Sequence, residues 1–547
     1  MSYLNIVVLV SILVLALAAP RLGNRWFTGA ESRASRFARR KGLVLLTIGL
    51  AAIFARLALL PVFPVPLPGV HDEFSYLLAG DTFAHARLTN PPHPMALFLN
   101  TFHVLQYPTY ASIFPPAQGG VLALGQVLLT PWVGVLLSMA AMCAAVTWAL
   151  QQWFPPQWAL LGGTLVLLRL DLFSYWINSY WGGAVAGIGG ALVLGAFRRI
   201  IHHCRSRDAL VLGIGASILA NSRPVEGVIF CIPVAVVMGG WLFSRKSPGF
   251  AVVARRVLLP FSCVMVLTVI FIGYYNWRVT GNPRVLPHAV ESCPTGSCQV
   301  LAWQKPTPTS TPLRYSFPEY ERFIVRQSGR HAASWEGWKQ RSGEGLSAFW
   351  EFFIGTALSL PFLTLPWMFR DRRVRFLLIQ LFCSVLGMLS VIYFTLHYTA
   401  PLTATLFGLL VQAMRHMRRW TLFSKPVGVA LTRIVVLAVL ANIPYYIAAT
   451  VRGAPTQEPW TVTRSRIAGQ LEATPGTHLV IVRYTPQHIL DNDWVYNGAD
   501  INGSKVVWAR EIPGQDMHPL LAYFRDRKIW LVEADASPPR LRPYVEP

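Results

Sequence analysis

Long apolar runs alternate with short basic stretches over most of the chain. The apolar runs fall at about 4–19, 43–63, 126–152, 157–171, 182–197, 209–220, 228–243, 257–275, 346–368, 376–396, 400–413 and 427–450. LVLLTIGLAAIFARLALLPVF (43–63) and VLLPFSCVMVLTVIFIGYY (257–275) each carry at most one charge. Each is long enough to cross a bilayer as a helix. The pattern predicts a polytopic α-helical membrane protein with about twelve transmembrane helices. The runs at 209–220 and 400–413 are too short alone. They are expected to extend through the polar motifs beside them, which places those motifs in protein and not against lipid.

Three longer segments, 64–125, 276–345 and 451–547, break the pattern. In the last, HLVIVRYT (478–485), KVVWAR (505–510) and KIWLVEAD (528–535) read as strands. HPLLAYFRD (518–526) reads as a helix between two of them. The chain therefore divides into an extra N-terminal transmembrane helix and basic cytoplasmic loop (1–42), a transmembrane core (43–450), and a small C-terminal extracytoplasmic α/β domain (451–547).

Charge settles the orientation. Hydrophobic residues make up 53% of the 547 positions and charged residues only 13%, yet the net charge is +23. The last 96 residues are neutral, with eleven basic and eleven acidic side chains. The excess sits in clusters at 33–41, 198–207, 245–256, 370–375 and 415–425, between apolar runs. This is what the positive-inside rule produces, so the charge reports orientation and excludes a nucleic-acid partner. The first run has its positive residues, Arg21 and Arg25, after its apolar stretch. A signal peptide has them before, so the run reads as an uncleaved helix with 20–42 in the cytoplasm. Segments 64–125, 276–345 and 451–547 then lie outside.

Five cysteines, Cys143, Cys204, Cys231, Cys263 and Cys383, fall in or beside apolar runs and read as packing residues. Cys293 and Cys298 flank Pro-Thr-Gly-Ser in an outward loop. Disulfides persist there, and such a turn can bring two cysteines within bonding range. A disulfide is preferred over two free thiols or a metal site.

The polar chemistry gathers at outward ends. HDEFSYLLAGDTFAHARL (71–88) opens with Asp72 and Glu73, and its Phe74, Leu77 and Leu78 have helical spacing. It reads as an amphipathic helix in the membrane interface. In the bland reading, Asp72 caps that helix and Glu73 favours its positive end. Other outward ends offer Asn178, Arg223 with Glu226, Arg278, and His397 with Tyr398. For the aromatic residues near 175–181 an interfacial belt is a strong competing explanation. Arg223 is harder to place against lipid. Arginine binds a phosphate at headgroup depth through its planar fork, and a carboxylate can take the proton of an attacking hydroxyl. Adjacent helical carboxylates do not face each other, so Asp72 and Glu73 do not suit a hydrolase pair. Asp81 and His85, at i and i+4, are weaker metal candidates, as is Glu73. A surface Asp-His pair is the simpler account of Asp81 and His85.

The Asp-Glu pair in the first outward loop, followed by an aromatic and Tyr76 (DEFSY), resembles the membrane glycosyltransferases of the GT-C superfamily. It is most similar to the protein O-mannosyltransferase-like family 39 and the aminoarabinose transferases of lipid A modification. The resemblance covers roughly 43–450. It implies a polyprenyl-phosphate-linked sugar donor, an inverting transfer to a lipid, glycan or protein acceptor, Asp72 as base with Glu73 as its neighbour, and use of a divalent metal ion by several members. It also implies a site on the periplasmic or exterior face of a bacterial inner membrane. The extra first helix and the terminal segment depart from the family pattern. Two rivals remain: a multi-spanning transporter, whose site would lie near mid-membrane on broken helices, and a non-catalytic assembly protein that binds a lipid-linked glycan.

Overall fold

The computed structural model describes residues 3–21, 23–292, 301–304, 320, 334–392, 394–422 and 424–545. Cys293 and Cys298 lie outside the described residues. The N-terminal half contains α1 (Tyr3–Ala18), α2 (Asn24–Ala38), α3 (Lys41–Ala58), α4 (His71–Ala84), α5 (Pro116–Leu128), α6 (Pro131–Trp153), α7 (Pro156–Val166), α8 (Ala184–His203), α9 (Ser206–Ser222) and α10 (Pro224–Leu242). A short hairpin, β1 (Val104–Leu105) and β2 (Ala111–Ser112), lies between α4 and α5. There follow α11 (Phe250–Thr280), α12 (Pro287–Ser292), α13 (Trp335–Phe353), α14 (Gly355–Arg370), α15 (Arg375–Leu389), α16 (Thr403–Met417) and α17 (Val427–Val451).

Six of these helices, α3, α6, α8, α10, α11 and α17, are long and apolar enough to cross a membrane. The bent pair α13–α14 makes a seventh if counted as one span, against the twelve expected. The apolar stretches of α11 and α17 are only 11% buried. Such surface is stable against lipid and not against water, so the chain is an integral membrane protein.

Local chemistry accounts for the changed boundaries. The run 126–152 is two helices, because Pro131 suits a first helical position and starts α6 afresh. α9 does extend through its polar end, to Ser222. The run at 400–413 extends instead at its basic end, to Met417, and begins with a 3-10 turn at Ala400–Leu402. α15 stops at Leu389, before the expected 396. α13 and α14 meet at 99° at Gly355, whose φ of +63° favours glycine. Residues 24–38 of the expected basic loop are helical, and Glu31 of α2 bridges Arg418 and Arg433.

After α18 (Pro459–Ala473), the terminal unit is a four-stranded sheet of β3 (His478–Arg483), β4 (Val506–Arg510), β5 (Lys528–Glu533) and β6 (Arg540–Pro543). Its order is β4-β3-β5-β6, with α19 (His518–Tyr523) between β4 and β5. β3 runs parallel to β4 and β5, and β6 is antiparallel to β5. The continuous apolar runs of β3 and β4 are those of strands covered on both faces. The three expected strands and the helix are present. α18 and β6 are additions.

α4 is not a surface helix. Phe74, Tyr76 and Leu78 are all buried, along with Ser75, Thr82 and Gly80. α5 lies against one side: a Cβ on Gly80 would stand 2.8 Å from the Leu122 Cβ, and one on Gly119 2.7 Å from the Ala79 Cβ. The terminal unit covers another side, through a stack of Tyr496 on Phe74 at 4.6 Å and the Ala499 N–H donated to Asp81 at 2.6 Å. The two covers remove the interfacial position that its spacing predicts.

Candidate active site

The site forms where the ends of several helices meet the start of α4. Val70 is the N-cap of α4, and no side chain caps it. Glu73 supplies the anchoring instead. One carboxylate oxygen accepts the Gly69 N–H at 2.9 Å and the other the Tyr180 N–H at 2.8 Å. Burial pushes the Glu73 carboxyl up to about 7, against those two bonds. With both oxygens held by backbone, Glu73 fixes α4 against the 175–182 segment and turns away from the open side.

Asp72 faces that open side. Its Oδ1 lies 3.4 Å from Nε2 of His103. His103 has φ +63°, a strained backbone for a non-glycine residue. Glu291 of α12 over-determines it: the His103 backbone N–H donates to one oxygen at 2.9 Å, and Nδ1 lies 2.7 Å from the other. Burial would lower the His103 pKa, but the charges of Glu291 and Asp72 and the Glu291 bond raise it. His71 lies beside it, with ring centroids 4.8 Å apart, and burial chiefly lowers its pKa.

Arg223 completes the cluster from the junction of α9 and α10. Its guanidinium sits over the Tyr398 ring, 4.2 Å from the centroid. The carboxylates of Glu226 and Asp72 are near enough to act on it electrostatically. Among the described residues, no carboxylate lies within ion-pair distance of Arg223. His397, next to Tyr398, has Nδ1 3.0 Å from the Tyr175 hydroxyl, and burial and Arg223 hold its pKa well below the usual range. Tyr76 stacks on Phe114 at 4.4 Å.

Asp72, Tyr76, Arg223, Glu226 and Tyr398 thus converge, with Glu73 and His397 at the edge. The others do not join them. Asn178 accepts from Arg56 at 2.9 Å and donates to the Ser174 carbonyl. Arg278 is exposed, with Nη1 3.4 Å from the Tyr274 hydroxyl. Asp81 accepts from Gln126 and from the Ala499 N–H, and His85 is exposed beside it. The metal-ligating group that does form is different: ligand atoms of His71, Asp72 and His103 lie within 4.8 Å of one another. Glu291 on Nδ1 of His103 directs Nε2 toward the shared space, the carboxylate–histidine backing that suits a metal ligand. These residues fit a divalent ion.

Sequence reasoning missed His103 and Glu291. Neither belongs to a motif in its own stretch, NTFHVL and PHAVES, and the two are separated by 188 positions. Only the fold relates them.

No protein-family model and no curated protein matches the chain. Among solved structures it is similar to the oligosaccharyltransferase of Archaeoglobus fulgidus. The apo form matches at 13% identity with a TM-score of 0.40, over 81% of this chain and 62% of that one. The form tethered to an acceptor peptide matches at 12% identity and 0.38, over 81% and 61%. The complex with an inhibitory peptide and a dolichol-phosphate matches at 13% and 0.37, over 81% and 62%. The chain spans about three-fifths of the length of these structures.

Proposed function

We propose that the chain is a membrane glycosyltransferase of the GT-C type that moves a sugar from a polyprenyl-phosphate donor to an acceptor hydroxyl outside the cytoplasm. The observation that carries this reading is Arg223: a largely buried cation without a carboxylate partner among the described residues, a short way from a partly exposed Asp72. The Arg223 guanidinium fork is paired with no carboxylate at ion-pair distance among the described residues, and a phosphate can accept from such a fork bidentately. An apolar cavity of about 490 Å³ starts at the neighbouring Pro224 and runs along α10 to Trp241, walled by α9 and α11. Such a cavity suits the isoprenoid tail of a lipid whose phosphate rests on Arg223.

In this reading the acceptor oxygen attacks the anomeric carbon opposite the phosphate. The new C–O bond forms as the bond to the phosphate oxygen breaks, and the configuration inverts. Polyprenyl phosphate leaves with its charge on Arg223. The acceptor proton passes to a carboxylate oxygen of Asp72. His71, Asp72 and His103 would hold a divalent ion, which would supply further positive charge to the leaving phosphate. His103, backed by Glu291, holds Asp72 in place.

Arg223→Lys tests the reading. It keeps the charge and loses the fork. Loss of one charge-assisted hydrogen bond, about 1.5–3 kcal/mol, weakens affinity roughly ten- to a hundredfold. The expected outcome is weaker binding of polyprenyl phosphate to purified protein in nanodiscs, with unchanged melting. Equal affinity in wild type and variant, or no preference of the wild type for polyprenyl phosphate over phospholipid, would overturn it.

A further inference from the structure

The cluster around Asp72 belongs to the membrane-helix part of the chain, but one charged group reaches it from the terminal unit. The loop after β3 is held rigidly. Asp493 is fully buried and accepts from the Thr101 hydroxyl at 2.8 Å, the Tyr484 hydroxyl at 2.8 Å and the Val495 N–H at 3.0 Å. Arg510 lies 3.3 Å from it. Tyr484 follows β3 and Arg510 ends β4, so the loop hangs from the carboxyl edge of the parallel strands. That edge is where open α/β sheets place ligands. The same loop is fastened to the core by the Tyr110 hydroxyl on the Asn497 carbonyl at 2.8 Å and by the Tyr496–Phe74 stack.

Two residues before Asp493, Asp491 points the other way. Its side chain is 53% exposed, and its Oδ1 lies 3.4 Å from Nδ1 of His71. Its charge acts on both His71 and His103. Asp72 is therefore flanked by two histidines, each facing a carboxylate from a remote segment: His103 with Glu291, and His71 with Asp491.

We propose that Asp491 is a positioning residue of this site: through it the terminal α/β unit sets the His71 ring beside Asp72, and turnover depends on that unit. The inference rests on the glycosyl-transfer reading. Asp491 acts through His71 and touches neither sugar nor phosphate. A rigid loop is what such a role needs, because a small misplacement near reacting groups is costly in rate.

The test uses the full chain with Asp491→Asn and Asp491→Glu. Three quantities are measured: turnover of lipid-linked sugar, binding of polyprenyl phosphate, and hydrogen exchange over peptides 69–76 and 478–483. For Asp491→Asn, kcat is expected to fall about tenfold, with affinity for polyprenyl phosphate and melting unchanged. Exchange should rise over 69–76 and not over 478–483. Asp491→Glu should restore part of kcat. An unchanged kcat in the Asn variant overturns the inference, as does a fall in kcat matched by weaker lipid binding and lower melting. A wild-type chain that turns over no lipid-linked sugar overturns the glycosyl-transfer reading instead. In that case exchange over 69–76 alone decides whether Asp491 sets His71, and an unchanged rate there refutes it.

Discussion

Asp72→Asn separates chemistry from architecture at the start of α4. The structural worth of Asp72 is small. It is not the N-cap, since Val70 holds that position without a side-chain bond. A carboxylate in the first turn gains about 0.3–1 kcal/mol from the helix dipole. Its contact with His103 is 3.4 Å long and both side chains are partly exposed, which is worth roughly 0–1 kcal/mol. Asparagine keeps the shape, so the folding cost should stay under about 2 kcal/mol. Removal of a general base costs about two to four powers of ten in rate. At 1.36 kcal/mol per power of ten that is roughly 3–5 kcal/mol of barrier. The two effects differ enough to be told apart in one variant. The assay follows single-turnover release of polyprenyl phosphate from lipid-linked sugar in membranes that contain the native acceptor, with melting and polyprenyl-phosphate binding measured on purified protein. The expected variant is folded, binds the lipid phosphate and is slower by a hundredfold or more. Transfer within a few-fold of wild type would refute the assignment of Asp72 as base.

Glu73→Ala should behave in the opposite way, because it leaves the Gly69 and Tyr180 N–H groups buried without their acceptor. At about 1–3 kcal/mol for each, a clear drop in melting temperature is expected, with Glu73→Gln intermediate; melting equal to wild type would show that α4 is fixed by other contacts. In the terminal unit, burial would raise the Asp535 carboxyl, but bonds from His488 and Thr485 hold it below the usual carboxylate range. A depressed folded-state value means that its stabilisation is present above the unfolded value of about 3.9 and is lost as pH falls through the folded value. The melting difference between wild type and Asp535→Asn should therefore be largest above about pH 5 and shrink on acidification; a difference independent of pH would contradict this.

How much was legible in the chain follows from what each signal measures. Apolar length marks helices well, so the main spans are placed to within several residues. It does not register breaks that proline and glycine make, hence the split at Pro131 and the 99° bend at Gly355. Periodicity identified the helix at 71–84 but misplaced it, because Phe74 and Leu78 face the terminal unit and its neighbours and not a membrane surface. Among the polar residues, Asp72 and Arg223 stood out because charges are scarce beside apolar runs, and the fold does bring them together. Asn178, a polar residue at the end of an apolar run, and the charged Asp81 stood out as well and serve as fasteners instead. A sequence cannot separate these cases, since a carboxylate that clamps a backbone N–H and one that faces an open site look alike. His103, Glu291 and Asp491 were illegible because their meaning lies in contacts across 31 to more than 400 positions.

The irregular backbone also bears on the choice between enzyme and carrier. A secondary transporter places broken helices and their exposed carbonyls near mid-membrane, around the transported solute. The helix after α7 loosens into a π-turn at Leu167–Asp171, and α13 meets α14 at Gly355. These two irregular places meet each other: the Arg169 guanidinium donates to the Phe352 carbonyl at 3.0 Å and to the Glu351 carbonyl. Phe352 in turn packs on Tyr175, whose hydroxyl touches His397. The break is thus satisfied within the protein, as backbone at membrane depth must be, and it braces the wall that carries His397 and Tyr398. That wall stands at the same end of the bundle as α4, opposite the basic clusters. A solute path through the core would leave these carbonyls open to the solute, not held by an arginine. An arrangement that spends its irregular backbone on a rigid wall for Tyr398, with Arg223 over that ring, fits the proposed chemistry at a fixed site better than passage through the middle.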